Sequence, residues 1–141
     1  MSEFVLDSSA VIALLREERA DFDLRDIVPG SWISTVNFAE VVDRFARDGN
    51  AEEAIADMLA ELDLVVVPTN TELAWRAGML KQPGRSFGLS LGDCFCLALA
   101  EEKAMPLVTT DNELAQAATL FNMPVRLARA TRWPGFTGFK G

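Results

Sequence analysis

Short apolar runs alternate along the chain with longer segments in which apolar residues recur at helical intervals. The short runs are typical of buried strands, and the longer segments are typical of helices that bury one side. We predict strands at residues 4–6, 32–33, 64–67, 107–109 and 124–127. We predict helices at residues 10–15, 36–46, 51–62, 71–80 and 90–103, and a short helix after Asp111.

The segments between these elements complete the predicted architecture. Residues 81–88 contain Pro, Gly and basic residues and are predicted to form a loop, and residues from about 130 to 141 are predicted to form a Gly-rich tail. Strands that alternate with helices indicate a parallel sheet covered on both faces. The sequence therefore predicts one α/β domain over residues 1–141, a three-layer α/β/α sandwich with a short, mainly parallel central sheet.

Four carboxylates occupy positions that such a fold brings together. Asp7 and Asp111 each follow a predicted strand, and Asp93 lies at the start of a predicted helix. Glu40 lies within an otherwise apolar helix, where an ionised carboxylate needs a partner. The functional crevice of an open parallel sheet lies beyond the carboxyl ends of its strands. Because clustered carboxylates repel one another, a shared site for them favours a bound cation.

Each acid also has a structural interpretation. Asp7 is suited to capping a helix or a turn, and Asp93 matches the last position of a capping box. The negative charge of Asp111 can interact favourably with the dipole of the helix that follows it. Glu40 has Arg44 four residues later, and a surface ion pair between the two is the alternative for this residue.

The composition narrows the possible chemistry. The 141 residues include no histidine, which excludes Ser-His and Cys-His nucleophile systems. Cys94 and Cys96 lie two residues apart, a spacing that suits neither a mutual disulfide nor a zinc site, so we expect both in the core. Oxygen ligands alone favour Mg²⁺ or Mn²⁺ over zinc. Such ions activate water and stabilise the charge that develops on a phosphoryl group.

Charge and hydropathy give expectations about binding and location. The net charge of −8 argues against a nonspecific nucleic-acid binder. The bases that follow the last acid, Glu113, form a separate cationic segment: Arg126, Arg129, Arg132 and Lys140. No apolar stretch reaches the roughly 18 residues of a membrane span, and the first residues lack the features of a signal peptide. We therefore expect a cytoplasmic protein.

Several short segments follow one another in a recognisable order. They are VLDSSA at residues 5–10, FAEV at 38–41, GLSLGD at 88–93, LALA at 97–100 and VTTD at 108–111. Each is a weak motif alone, but together they span residues 5 to about 126. In this order and spacing they resemble the PIN-domain family, and within it the VapC-type toxins of bacterial and archaeal toxin–antitoxin pairs.

The resemblance implies a compact α/β/α domain and an endoribonuclease that depends on Mg²⁺ or Mn²⁺. The four acids match the family's acidic quartet: Asp7, Glu40, Asp93 and Asp111. By this resemblance Asp7 and Asp93 are direct metal ligands. Glu40 and Asp111 bind the metal through water or orient the attacking water.

The resemblance also implies auxiliary residues and partners. Thr109 falls where the family often has a small hydroxyl residue that supports the site, although it is equally an ordinary strand-end threonine. Ser9, in the first matching segment, is a second auxiliary candidate. The implied partners are an RNA substrate, an inhibitory antitoxin protein and a second copy of the chain in a homodimer. Cys94 departs from the family, whose members often carry Arg or another polar residue there.

Two other functions stay open on sequence grounds. A catalytically idle PIN-like module that acts through protein partners would share the fold, but the presence of all four acids favours an enzyme. An aspartyl-phosphate phosphatase would need a second Asp two positions after its nucleophile, where this chain has Ser9.

Residues beyond the acids have two interpretations each. The bases before Asp93 are either phosphate contacts or, preferably, solvated surface residues: Arg76, Lys81 and Arg85. Trp75 lies among apolar residues, and we expect it in the core or in an interface. The cations and aromatic rings of the tail suit single-stranded nucleic acid, but packing is the preferred interpretation.

Overall fold

The computed structural model describes residues 3–17 and 24–128. Its strands are β1 (Val5–Leu6), β2 (Trp32–Ser34), β3 (Val65–Val67), β4 (Leu107–Thr109) and β5 (Val125–Leu127). Its helices are α1 (Ser8–Leu15), α2 (Leu24–Ile27), α3 (Thr35–Arg47), α4 (Glu52–Ala60), α5 (Thr71–Gly84), α6 (Leu91–Lys103) and α7 (Asn112–Leu120). A 3-10 helix, Arg85–Phe87, lies between α5 and α6. The predicted tail lies outside the described residues.

The five strands form one parallel sheet in the order β3-β2-β1-β4-β5. β1 is central, with Val5 opposite Trp32 of β2 on one side and Leu6 opposite Val108 of β4 on the other. The chain first adds strands on the β2 side and later adds β4 and β5 on the opposite side. The carboxyl ends of β1 and β4 therefore flank the point where the winding direction changes, the usual place for a site in such sheets.

Helices cover both faces of the sheet. Successive strand residues point to opposite faces, so Val5 and Leu107 belong to one core cluster while Leu6 and Val108 belong to the other. The first cluster includes side chains of α5, α6 and α7, and the second includes side chains of α1, α2, α3 and α4. The predicted three-layer α/β/α fold with a parallel central sheet is confirmed.

The central helix of the first layer is α6. Its residues 94–100 are all buried, which a helix that is apolar on every side requires. Cys94 and Cys96 lie in this stretch as free thiols, as expected of core residues. Among the described residues, no helix is long and apolar enough to cross a membrane.

The loop predicted at residues 81–88 is wrong, because α5 continues to Gly84 and the 3-10 helix follows. The helix accommodates Pro83 near its end, where only one hydrogen bond of the helix is lost. Packing outweighs this local cost. Leu80 and Leu89 belong to the first core cluster, and Gly84 is buried against Leu89. A Cβ on Gly84 would lie 3.0 Å from the Leu89 side chain, and Lys81 donates to the Leu89 carbonyl.

Four apolar side chains on β3 and α5 are more exposed than the sequence suggests. β3 is an edge strand, and its Val65 and Val66 are exposed although the run reads as buried. Trp75 on α5 is 73% exposed, so of its two expected places the core is wrong and the interface stays a prediction. Met79, one turn further on the same helix, is also exposed. Trp32 packs against the first core cluster, with the Lys103 ammonium 5.1 Å from its ring centre.

Candidate active site

The acids that follow β1 and β4 meet at the carboxyl edge of the sheet. The Asp7 backbone N–H donates to the carbonyl of Val108 (2.9 Å), which fixes the end of β1 against β4. The Asp7 side chain is 3% exposed. Its Oδ2 accepts hydrogen bonds from Ser9 Oγ (2.6 Å) and Thr109 Oγ1 (2.9 Å). Asp7 occupies the N-cap position of α1 but makes no side-chain cap, so the capping interpretation fails.

The hydroxyl groups of Ser9 and Thr109 connect the two strand ends. They lie 3.2 Å from each other, and each also accepts a backbone hydrogen bond. The Thr110 N–H donates to Ser9 Oγ (3.0 Å), and the Asp111 N–H donates to Thr109 Oγ1 (2.9 Å). Both auxiliary candidates therefore contact Asp7 directly, and Thr109 bridges Asp7 to the backbone of Asp111.

Asp111 combines a capping position with a place at this edge. It is the N-cap of α7, where its Oδ1 accepts from the N–H groups of Glu113 (2.9 Å) and Leu114 (3.4 Å). Asp111 therefore does have the predicted structural role at the start of α7. It acts as the N-cap residue and does not lie in the first turn of the helix.

Two substitutions of Asp111 distinguish the contribution of its helix cap from that of its negative charge. Asp111→Ala removes the acceptor, and we expect the free energy of unfolding to fall by about 1 kcal/mol. Asn is an equally good N-cap, so Asp111→Asn should stay close to the wild type in urea unfolding. Equal losses in both variants would contradict the capping assignment.

Glu40 projects from α3 toward the start of α6. Its Oε1 accepts from Asn37 Nδ2 (2.9 Å). The alternative ion pair with Arg44 is not formed, since the Arg44 guanidinium instead lies 3.7 Å from Asp48. Asp43, on the same helix, is exposed and pairs with Arg47 (2.9 Å).

Asp93 forms the capping box that its spacing predicts. Its Oδ2 accepts from the Ser90 N–H (2.9 Å), and its own N–H donates to Ser90 Oγ (3.1 Å). This geometry fixes the Asp93 carboxylate at the N-terminus of α6, beside the edge occupied by the other acids. A structural role therefore exists for Asp93, and it engages only one of the two carboxylate oxygens.

The four acids interact electrostatically. Burial raises the pKa of Asp7 from 3.8 to about 6; the Ser9 and Thr109 hydroxyls lower it, while the charges of Asp93 and Glu40 raise it. Burial also raises the pKa of Asp93. The hydrogen bonds with Ser90 lower this pKa, and the negative charge of Asp111 raises it. The structure thus brings all four acids into one electrostatic group.

Each of these carboxylates has one oxygen with a hydrogen bond and one without. The second oxygens accept no hydrogen bond from the described residues: Asp7 Oδ1, Glu40 Oε2, Asp93 Oδ1 and Asp111 Oδ2. Within the described ranges, no three His, Cys, Asp or Glu side chains are spaced as the ligands of one ion. Mg²⁺ does not require that arrangement, because it keeps several waters and binds through one or two carboxylates. The donor set therefore fits a hard, hydrated divalent cation.

The cations predicted near the site are mostly engaged elsewhere. Arg76 pairs with Glu101 through two hydrogen bonds, and the Arg85 guanidinium donates to the Gln82 side chain (3.4 Å). Lys81 donates to a backbone carbonyl, and its charge lowers the pKa of Asp93. Surface and structural roles are thus the correct interpretation for Arg76, and Lys81 is the base that acts electrostatically on the site.

Two residues of this site were not identified from the sequence. Asn37 is fully buried and joins Glu40 to the carbonyl of Gly92. Gly92 lies against the Glu40 carboxylate so closely that a Cβ there would overlap it. The available signals were the spacing of three residues between Asn37 and Glu40, and a glycine inside the first turn of a helix.

The chain matches a known protein family over most of its length. The family model described as PIN domain matches residues 4–120. The chain belongs to the PIN-domain family. The resemblance inferred from the short sequence motifs is confirmed, and so is the fold that it implies.

Individual PIN-domain proteins resemble this chain over most of its length. The VapC ribonuclease Mb0625 of Mycobacterium bovis and ribonuclease VapC28 of Mycobacterium tuberculosis are each 28% identical over 123 residues, which cover 77% of this chain and 90% of the relative. The crystal structure of VapC20 of M. tuberculosis, a sarcin-ricin loop cleaving toxin, is 16% identical with a TM-score of 0.65 and covers 81% of this chain and 94% of that one. The structure of VapBC2 of Rickettsia felis, bound to a promoter DNA fragment, is 14% identical with a TM-score of 0.65. The match covers 89% of this chain and 98% of that one.

Proposed function

We propose that this PIN-domain chain is a VapC-type ribonuclease toxin that hydrolyses RNA phosphodiester bonds with a divalent cation bound at Asp7, Glu40, Asp93 and Asp111. The ribonuclease class follows from the family and from the VapC relatives. The observation that supports the site is the electrostatic group of four acids at the carboxyl edge, in which Asp7 is buried and each carboxylate has one oxygen that accepts no hydrogen bond from the described residues.

The protein contacts of the acids suggest their roles. Asp7 and Asp93 are proposed as the direct ligands, because the hydrogen bonds to their Oδ2 atoms fix each carboxylate and leave Oδ1 available. Glu40 and Asp111 are proposed to hold metal-ligating or attacking water through Oε2 and Oδ2, which accept no hydrogen bond within the part of the chain that the structure describes. Oxygen donors without nitrogen or sulfur favour Mg²⁺ or Mn²⁺.

The bound ion would supply water activation and compensation of phosphoryl charge. The chain itself supplies fixed carboxylates, and the hydroxyls of Ser9 and Thr109 keep Asp7 in one orientation. A divalent cation would also offset part of the negative charge of the four acids, which otherwise opposes the approach of an RNA phosphate. Without it, the buried Asp7 and its neighbours would repel the phosphate.

Partners are proposed on the same basis. The structural neighbours include toxin–antitoxin complexes, among them VapBC-1 of Haemophilus influenzae, which supports an antitoxin partner for this chain. We also propose a homodimer. The exposed Trp75 and Met79 are an apolar surface that such a contact would cover, and analytical ultracentrifugation would show a monomer if this is wrong.

The test of the enzymatic proposal is cleavage of a fluorescent single-stranded RNA with and without divalent cations. We expect cleavage with Mg²⁺ or Mn²⁺, none with a chelator, and a loss of about 100-fold or more in Asp93→Asn. Asp43→Asn is the matched control, since Asp43 is an exposed acid paired with Arg47 outside the group. It should cleave as the wild type does.

The alternative is a catalytically idle binding module. It would show no cleavage with any of several RNAs, and calorimetry would detect no Mn²⁺ binding or binding that Asp93→Asn leaves unchanged. That pair of results would reject the proposed enzyme. The placement of all four acids at one edge favours the enzyme over this alternative.

A further inference from the structure

We propose that Asn37 is a positioning residue that fixes Glu40, and that Gly92 is required because the Glu40 carboxylate occupies the space where a side chain would be. The inference rests on the proposed function, in which Glu40 acts at the cation site. It concerns how one acid is directed toward the others, and it assigns roles to two residues that the acidic quartet does not include.

The hydrogen bonds of Asn37 permit only one orientation of its amide. The Asn37 side chain is fully buried. Its Nδ2 donates to Glu40 Oε1 (2.9 Å) and to the carbonyl of Gly92 (3.0 Å), both of which only accept. Its Oδ1 accepts from Ser34 Oγ (2.7 Å), and Ser34 Oγ in turn accepts from the Asn37 N–H (3.0 Å). If the amide were flipped, Asn37 Oδ1 would face Glu40 Oε1 and the Gly92 carbonyl oxygen, which cannot donate. Nδ2 must therefore face Glu40.

The contact between Glu40 and Gly92 explains the glycine. A Cβ built on Gly92 would lie 2.8 Å from Glu40 Cδ and 2.9 Å from Oε1, and closer still to Oε2. Gly92 does not have a positive φ, so backbone conformation does not require glycine here. Glycine is unfavourable inside a helix relative to alanine. The close approach of the carboxylate is therefore the physical reason for glycine in the first turn of α6.

The network connects the elements that carry the site. Ser34 ends β2, Asn37 and Glu40 lie on α3, and Gly92 immediately precedes Asp93 on α6. The amide of Asn37 thus couples the position of Glu40 to the backbone that carries Asp93. Glutamate has a long side chain with several rotatable bonds, and a fixed donor together with the space at Gly92 selects one of its conformations.

A double-mutant cycle tests the contact without any activity measurement. We expect Gly92→Ala to lower the Tm by roughly 5 °C in the metal-free protein, since the new methyl group displaces the Glu40 carboxylate and breaks its hydrogen bond with the buried Asn37 amide. In a Glu40→Ala background the same change should leave the Tm unchanged or raise it, because alanine is the better helix former. An equal loss of Tm in both backgrounds would overturn the assignment of Gly92.

The role of Asn37 is tested by Asn37→Asp, which keeps the shape and replaces the Nδ2 donor with a carboxylate oxygen that opposes Glu40 Oε1. We expect Mn²⁺ affinity measured by calorimetry to fall about 10-fold and RNA cleavage to fall with it. Asn50→Asp is the matched control: Asn50 Nδ2 donates to the Phe45 carbonyl (3.0 Å), so the chemical change is the same at a structural amide. That control should alter the Tm but not Mn²⁺ affinity.

The outcomes separate the two proposals. If Asn37→Asp and Asn50→Asp change Mn²⁺ affinity equally, Asn37 has no positioning role. If the wild type binds no Mn²⁺ and cleaves no RNA, the proposed function fails, whereas the thermal cycle at Gly92 still reports whether Glu40 occupies that space.

Discussion

Asp7→Asn is expected to reduce RNA cleavage by about 100-fold or more while making the metal-free protein more stable at neutral pH. Both effects come from one carboxylate. The proposed cation would be held by Asp7 Oδ1, and the same carboxylate is buried beside Glu40 and Asp93, whose charges disfavour its ionisation. Loss of a proposed ligand and gain of stability in one variant would distinguish a functional acid from an acid that serves the fold.

The sign of the stability effect follows from the raised pKa. Burial raises the pKa of Asp7 from 3.8 to about 6, so the folded state keeps this proton to a higher pH than the unfolded state does. The stability that the protonated group contributes is fully present below about pH 4 and is lost as the pH rises through about 6. At pH 7.5 an uncharged Asn avoids a cost of up to about 3 kcal/mol, and near pH 4 the advantage disappears.

Urea unfolding with a chelator at pH 4.5 and 7.5 measures this effect. Asp43→Asn serves as the control, because Asp43 is exposed and lies outside the group. Added Mn²⁺ should reverse the order at pH 7.5, since a ligand of the folded state stabilises the wild type and not Asp7→Asn. A variant that is less stable than the wild type in chelator at pH 7.5 would contradict the assigned burial cost.

The acids at the strand ends could be predicted because a simple geometric rule links sequence to space. Asp7 and Asp111 directly follow short apolar runs, and parallel strands bring their carboxyl ends to one edge. The apolar surroundings of Glu40 gave a second clue, because a carboxylate in that setting needs a partner. That partner is Asn37 and not Arg44, a distinction that depends on the rotation of α3 against α6.

The remaining features depend on long-range packing. The turn residues in 81–88 indicate a loop, yet burial of Leu80 and Gly84 extends α5 to Gly84, and a 3-10 helix follows it. The run at residues 64–67 reads as an interior strand, but its place at the sheet edge is a property of strand order. Gly92 resembles an ordinary helix-start glycine until the Glu40 carboxylate is placed against it. None of these contacts has a local signature.

Thr109→Val is the second substitution with a large expected effect. The Thr109 hydroxyl donates to Asp7 Oδ2 (2.9 Å) and accepts from the Asp111 N–H (2.9 Å) in a fully buried position. Valine keeps the shape and suits the buried strand, so the change removes only the hydroxyl. The Asp111 N–H loses its acceptor, and the pKa of Asp7 should rise further because one of the hydrogen bonds that lower it is lost.

We expect Thr109→Val to lower the free energy of unfolding by about 2 kcal/mol and Mn²⁺ affinity by about 10-fold. Thr109→Ser restores the hydroxyl and should recover most of the metal affinity, with a smaller loss of stability from the missing methyl group. Urea unfolding and calorimetry on the three proteins measure these quantities. Because Thr109 joins Asp7 to the backbone at Asp111, wild-type metal affinity in the valine variant would mean that the two strand ends keep their acids aligned without the hydroxyl.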